Sequence, residues 1–252
     1  MSAATPGTIP NCRPTCGSGT PSFAPAVPIS SAWPKRWCAT PAKLTPTTYH
    51  LGRFAGLGSR HNVQHWGCSA KQLRISQALY RRYYYYLTAD ERIGDIMREL
   101  LDADASLAAV DPLRKRAGAL QGPYTARASF GTDWSSLAGT WLVEWERTGD
   151  KRWRDMLLAG MRDIAAMPQG FFSANAMGYD RSSGHLHNTQ GGKVTASHLN
   201  VAFGAPEIFA ELIGMLDQPR FEQAWLRYCA LYNASPAEQQ RELGGPDRKS
   251  VV

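Results

Sequence analysis

No aspartate or glutamate occurs before Asp90. Ten of the 28 Lys and Arg residues lie in that acid-free stretch, so 18 remain against 21 Asp and Glu, a balance of −3 beneath the formal +7 of the whole chain. The part with helical patterning is thus mildly acidic, which argues against nucleic acid as a partner. No apolar run approaches the roughly 20 residues that cross a bilayer, so no membrane helix is expected. The first residues carry no basic patch, and Pro6 and Pro10 interrupt any apolar leader core, so no secretory signal is read. Cysteine lacks pattern: Cys12, Cys16, Cys38, Cys68 and Cys229 are odd in number, with no Cys/His pair at zinc spacing. Neither a disulfide framework, nor a metal site, nor a cofactor is expected. Gly-x-Ser-x-Gly is absent, and with it the usual signature of a serine nucleophile.

What is present is the composition of a globular protein, with 43% hydrophobic and 19% charged residues. Nine of the 16 prolines fall between Pro6 and Pro46. That spacing breaks helices and strand ladders alike, so residues 1–57 are expected to form a disordered, Pro-rich arm. From Ala70 the periodicity becomes helical, with Ser69 as N-cap and Leu73, Ala78, Leu79, Tyr83, Tyr86 and Leu87 along one face. The run Tyr83–Tyr86 suits a helix buried on several sides. Asp90 should cap a second helix reaching Leu107. Further helices are expected from Thr132–Asp133 to Arg147, from Asp150 to Met167, from Leu199 to Leu216 with Gly204 and Pro206 disturbing its first turns, and from Pro219 to Tyr232.

These segments pair into three helical hairpins whose elbows superpose on Arg92, Arg152 and Arg220, at separations of 60 and 68 residues. The fold class is therefore all-α, a partial α/α toroid comprising three hairpins of an (α/α)6-type barrel over residues 58–246. Residues 247–252 read as an artefactual tail. Only three hairpins are visible, so an incomplete ring is expected, and an open half-ring exposes apolar flanks.

With the first helix of each pair as the inner one, the loops leading into them are 60–69, 124–134 and 185–200. These loops hold five of the six histidines: His61, His65, His185, His187 and His198. Ring geometry would bring them to one mouth. Arg60-His61-Asn62-Val63-Gln64-His65-Trp66-Gly67 is the densest set, with two imidazoles, two carboxamides, a guanidinium and an indole. His61 and His65 stand at i, i+4 but lack the glutamate of His-Glu-x-x-His. Asp133 is the strong carboxylate of these loops and serves equally as an N-cap. Hydrolysis by an Asp133–Asp180 pair stays open, as does a non-catalytic carbohydrate-binding module. Elimination from a uronate needs a neutralised carboxylate, a base and a proton donor. Arg60, Asn62 and Gln64 match the first; His61, His65, Tyr124 and His198 match the others; Trp66 and Trp134 offer faces to sugar rings.

Residues 58–186 resemble the C-terminal α/α-toroid domain of the exo-rhamnogalacturonan-lyase-like family (PcRGLX/YetA-like). Besides the motif at Arg60, the resemblance is carried by Tyr80-Arg81-Arg82-Tyr83-Tyr84, Gly131-Thr132-Asp133-Trp134-Ser135-Ser136, Glu144-Trp145-Glu146-Arg147-Thr148-Gly149-Asp150 and Met161-Arg162-Asp163-Ile164-Ala165-Ala166-Met167-Pro168. It implies a toroid following β-rich domains, an acidic pectic polysaccharide of alternating rhamnose and galacturonate as partner, β-elimination as the reaction, and an extracellular setting.

Overall fold

The computed structural model describes residues 59–60, 71–72, 78–105, 107, 122, 124–173, 176–202, 204–244 and 247–249. All fall in one compact unit, Ala32–Val252. The expected arm at 1–57 lies outside the described residues.

The body is mostly helical. Helix α1 (Ala78–Thr88) is followed after Ala89 and Asp90 by α2 (Glu91–Glu99), which tightens into a 3-10 turn at Leu100–Asp102. Asp90 caps α2, its carboxylate accepting from Arg92 N at 3.2 Å. Helix α3 (Ser135–Thr148) grows out of a π turn at Phe130–Trp134 and stops at Gly149, whose φ of 70° suits a residue without Cβ. Asp150 then caps α4 (Lys151–Ala166) through Arg152 N at 2.9 Å. Short α5 (Leu199–Ala202) and α6 (Ala205–Met215) are parted at Gly204, with φ of 82°, where the sequence places its disturbance. Helices α7 (Pro219–Tyr232) and α8 (Pro236–Leu243) complete the set. Within each of the pairs α1/α2, α3/α4 and α6/α7, the two helices pack on one another.

Aromatic side chains fill the space between the helices. Trp134, Trp141, Phe171, Phe209, Phe221 and Tyr228 are fully buried. Phe171 meets Phe209 at 5.1 Å, and Phe209 meets the Trp225 ring edge-on at 4.8 Å. Such pairs add about 0.5–1.5 kcal/mol each beyond the area they bury.

Several expectations are corrected. Lys71–Gln72 is not helical but a strand, β2, paired antiparallel with β1 (Ser59–Arg60). The inner face of α1 is Ala78, Leu79, Arg81, Arg82 and Tyr84, while Tyr83, Tyr86 and Leu87 are exposed. The reason is Arg82: its guanidinium lies 2.6 Å from Glu211 and 3.3 Å from Glu146, tying α1 to α6 and α3. Paired carboxylates let an arginine hold an inner position that apolar spacing assigns to tyrosine. Helix α2 ends well short of Leu107. The return loops contain strands that helical periodicity does not reveal: β3 (Ala126–Ala128), β4 (Met177–Tyr179) and β5 (Leu186–His187) form an antiparallel sheet. Strand β6 (Thr195–Ser197) pairs in parallel with β7 (Asp247–Lys249).

Candidate functional site

Glycine at position 178 makes the central feature possible. Gly178 stands between Arg127 on β3 and His187 on β5. A Cβ there would lie 2.6 Å from the Tyr124 ring. Its absence lets the half-buried Tyr124 lie across the strand and stack on His187, ring centres 4.7 Å apart and planes 29° apart. Strand alternation puts His185 on the same side as His187, with ring centres at 6.2 Å. The His185 Nδ1 lies 2.7 Å from Asp163 Oδ2, which also accepts from Leu186 N at 2.8 Å. An ionised carboxylate only accepts, so Asp163 fixes the proton on Nδ1 and presents Nε2 outward. Phenol and two imidazoles thus form a row at the sheet, oriented by a carboxylate from α4.

The lead-ins to α3 and α5 also meet. A Cβ on Gly131 would collide with the Leu199 carbonyl and sit 2.6 Å from Asn200 Cα, so the two backbones are in direct contact there. His198 precedes α5 at that junction, half-buried. Asn200 is buried and donates to the Phe171 carbonyl, while Tyr228 OH donates to the Ser197 carbonyl at 2.5 Å.

Two expected substrate-binding residues are placed differently. Asp133 is buried, and its Oδ2 accepts from Ser129 N at 3.0 Å and Ser129 Oγ at 2.7 Å. It closes the turn that starts α3. Trp134 is 0% exposed, set between Phe209, Phe221 and the cleared surface of Gly160, where a Cβ would be 2.5 Å from its Nε1. It has no face to offer a sugar. Arg60 lies on β1 opposite Lys71. His61, Asn62, Gln64, His65 and Trp66 lie outside the described residues. His185 and His187 stand among the expected loop histidines without an assigned role, and no expected site role falls on Asp163. The His-x-His spacing at 185 and 187, which puts both rings on one side of a strand, was the available signal.

Asp180 is held by three donors, Ser182 N, Ser182 Oγ and Ser183 Oγ, at 2.9, 2.8 and 2.7 Å. The Ser183 hydroxyl first, then the Ser182 amide, pull its carboxyl below the usual range. Among the described residues no three His, Cys, Asp or Glu side chains converge as metal ligands.

Comparison with known proteins agrees with this architecture. Residues 46–252 match the family described as the PcRGLX-like protein C-terminal alpha/alpha toroid domain. Over 198 residues the chain is 38% identical to a Bacillus subtilis (strain 168) protein named Uncharacterized protein YetA. That match takes in 79% of this chain but 23% of the relative, so the chain spans less than a quarter of that protein's length. With a mainly helical body and a family match over most of its length, this chain belongs to the PcRGLX-like C-terminal α/α toroid family.

Proposed function

We propose that this chain is the toroid part of a polysaccharide lyase that β-eliminates galacturonate-containing pectin of the rhamnogalacturonan type, its three helix pairs forming an arc of a six-hairpin ring. The family supports the substrate class. The observation that carries the chemistry is Tyr124, just before the strand that leads towards α3, stacked on His187 at 4.7 Å. Arg60, Asn62 and Gln64 neutralise the uronate carboxylate, which acidifies its C5–H. Tyr124, acting as the phenolate, takes the C5 proton, the C4–C5 double bond forms, and the C4–O bond breaks. A histidine of the set His61, His65 and His198 gives a proton to the departing oxygen, and Trp66 carries a sugar ring. The partner is an acidic polysaccharide, with no part for nucleic acid, membrane or cofactor.

The two carboxylates that hydrolysis would use favour this reading over a glycoside hydrolase. Asp133 is buried against Ser129, and Asp180 is held ionised by serine donors, so neither suits a general acid. Tyr124→Phe should lower the rate of unsaturated-uronate formation, followed by ultraviolet absorbance, by about 10²- to 10⁴-fold. Substrate affinity should stay unchanged. Reducing ends that accumulate without the chromophore would establish hydrolysis; full activity in Tyr124→Phe would remove the phenol from the mechanism.

A further inference from the structure

The elbow arginines of the three helix pairs do not share one fate. Arg92 pairs with Glu99 at 3.8 Å. Arg152 and Arg220, at the equivalent turns, pair with no carboxylate among the described residues, and neither do Arg162 and Arg227. All four are exposed. They lie in two open grooves that α4 borders. Arg152 and Arg162 line the first, of about 560 Å³, with Ser182, Ser183 and His185 opposite. Arg220 and Arg227 line the second, of about 590 Å³, against the end of α4 and Gln169. The grooves follow each other along the helix, because 152, 155, 159, 162 and 166 recur at helical spacing on one stripe. Between them, Arg162 Nε donates to Gln218 at 3.3 Å, and Gln218 precedes the turn carrying Arg220. Arg227 donates to Gln169 at 3.0 Å. Asp155, the acid of the first groove, is occupied by the forked guanidinium of Arg154 at 3.1 and 2.8 Å.

We propose that α4 and α7 carry an anionic-polysaccharide track on the exposed surface of the helical body, meeting the Tyr124 row at His185, that holds the uronate chain. The choice of uronate rests on the pectic reading above. The track runs along α4, whose 16 residues make about 24 Å of helix. Guanidinium groups bind carboxylates through paired N–H donors, and the intervening Gln and Ser side chains suit sugar hydroxyls. Sparse arginines separated by neutral donors fit carboxylates separated by neutral sugars. They fit nucleic acid poorly, since its affinity comes from many closely spaced phosphates, and the chain from Asp90 onward is net negative.

The test is fluorescence anisotropy with a labelled oligosaccharide of alternating rhamnose and galacturonate, comparing the protein with R162Q/R227Q and with R92Q/R98Q, which removes equal charge from α2. Loss of two exposed ion pairs should weaken binding about five-fold or more in R162Q/R227Q, and R92Q/R98Q should bind as the parent does. Parent-like binding by R162Q/R227Q, equal loss in both double variants, or tighter binding of duplex DNA at the same salt would each overturn the track. Unsaturated-product formation is assayed separately. Arginine-dependent binding without any such product sinks the lyase reading and leaves the track standing.

Discussion

Asp133 shows how one side chain can carry two readings until its neighbours are known. From sequence it is either a catalytic carboxylate or an N-cap; it is not the N-cap of α3, but its Oδ2 reaches back to Ser129 N and Oγ and closes the preceding π turn. Asp133→Ala should therefore cost about 1–3 kcal/mol, the cost of leaving buried donors unsatisfied, read as a lower urea midpoint. Asp133→Asn, whose amide oxygen can still accept, should keep most of that stability. Lost turnover with unchanged stability in Asp133→Asn would return the residue to the chemistry. Trp134 was illegible for a different reason: an indole suits a sugar face and a core equally, and only the opening left by Gly160 decides. Tyr124 was legible as a residue of the segment that leads towards α3. Its partner was not, since stacking on His187 depends on a glycine on a third strand.

At the level of elements, turns and caps were the most readable features. Asp90, Gly149, Asp150, Gly204 and Pro219 punctuate the helices as their backbone preferences dictate, since each satisfies or frees groups local to itself. The sheet β3–β4–β5 could not be read this way: its strands are two or three residues long and their partners lie far apart in sequence. Face assignment failed on α1 because the Glu146 and Glu211 partners of Arg82 sit on other helices. Close approach between elements gives a sharp prediction. Alanine is favoured over glycine within a helix by about 1 kcal/mol, yet Gly160→Ala should destabilise, because its methyl would meet Trp134 at 2.5 Å. Overpacking of this sort costs about 1–3 kcal/mol. Gly131→Ala should be worse, since the obstruction there is the Leu199 backbone rather than a side chain that can turn. A thermal midpoint raised in either variant would show that the helices do not approach as described.

For the whole molecule, pH reports how well the sheet and helices are locked together. Tyr179 OH donates to the buried Asp104 at 2.8 Å, and Arg181 lies 2.9 Å from the other Asp104 oxygen. Burial pushes the Tyr179 hydroxyl well above the ordinary phenol range, and the Asp104 charge adds to the rise. Burial raises Tyr228 as well, against the opposing effect of its hydrogen bonds. A group that holds its proton more tightly when folded contributes stability fully present below its unfolded value and lost as pH climbs towards the folded one. The thermal midpoint should therefore be insensitive to these groups at neutral pH and fall steeply once unfolded tyrosine begins to ionise. Tyr179→Phe should melt lower at neutral pH, by the about 1 kcal/mol of one hydrogen bond. It should also show a shallower alkaline decline, so that the two curves converge as pH rises. Parallel curves across that range would mean that Tyr179 ionises alike in both states. The Tyr179–Asp104–Arg181 contact would then not hold β4 to the turn after α2.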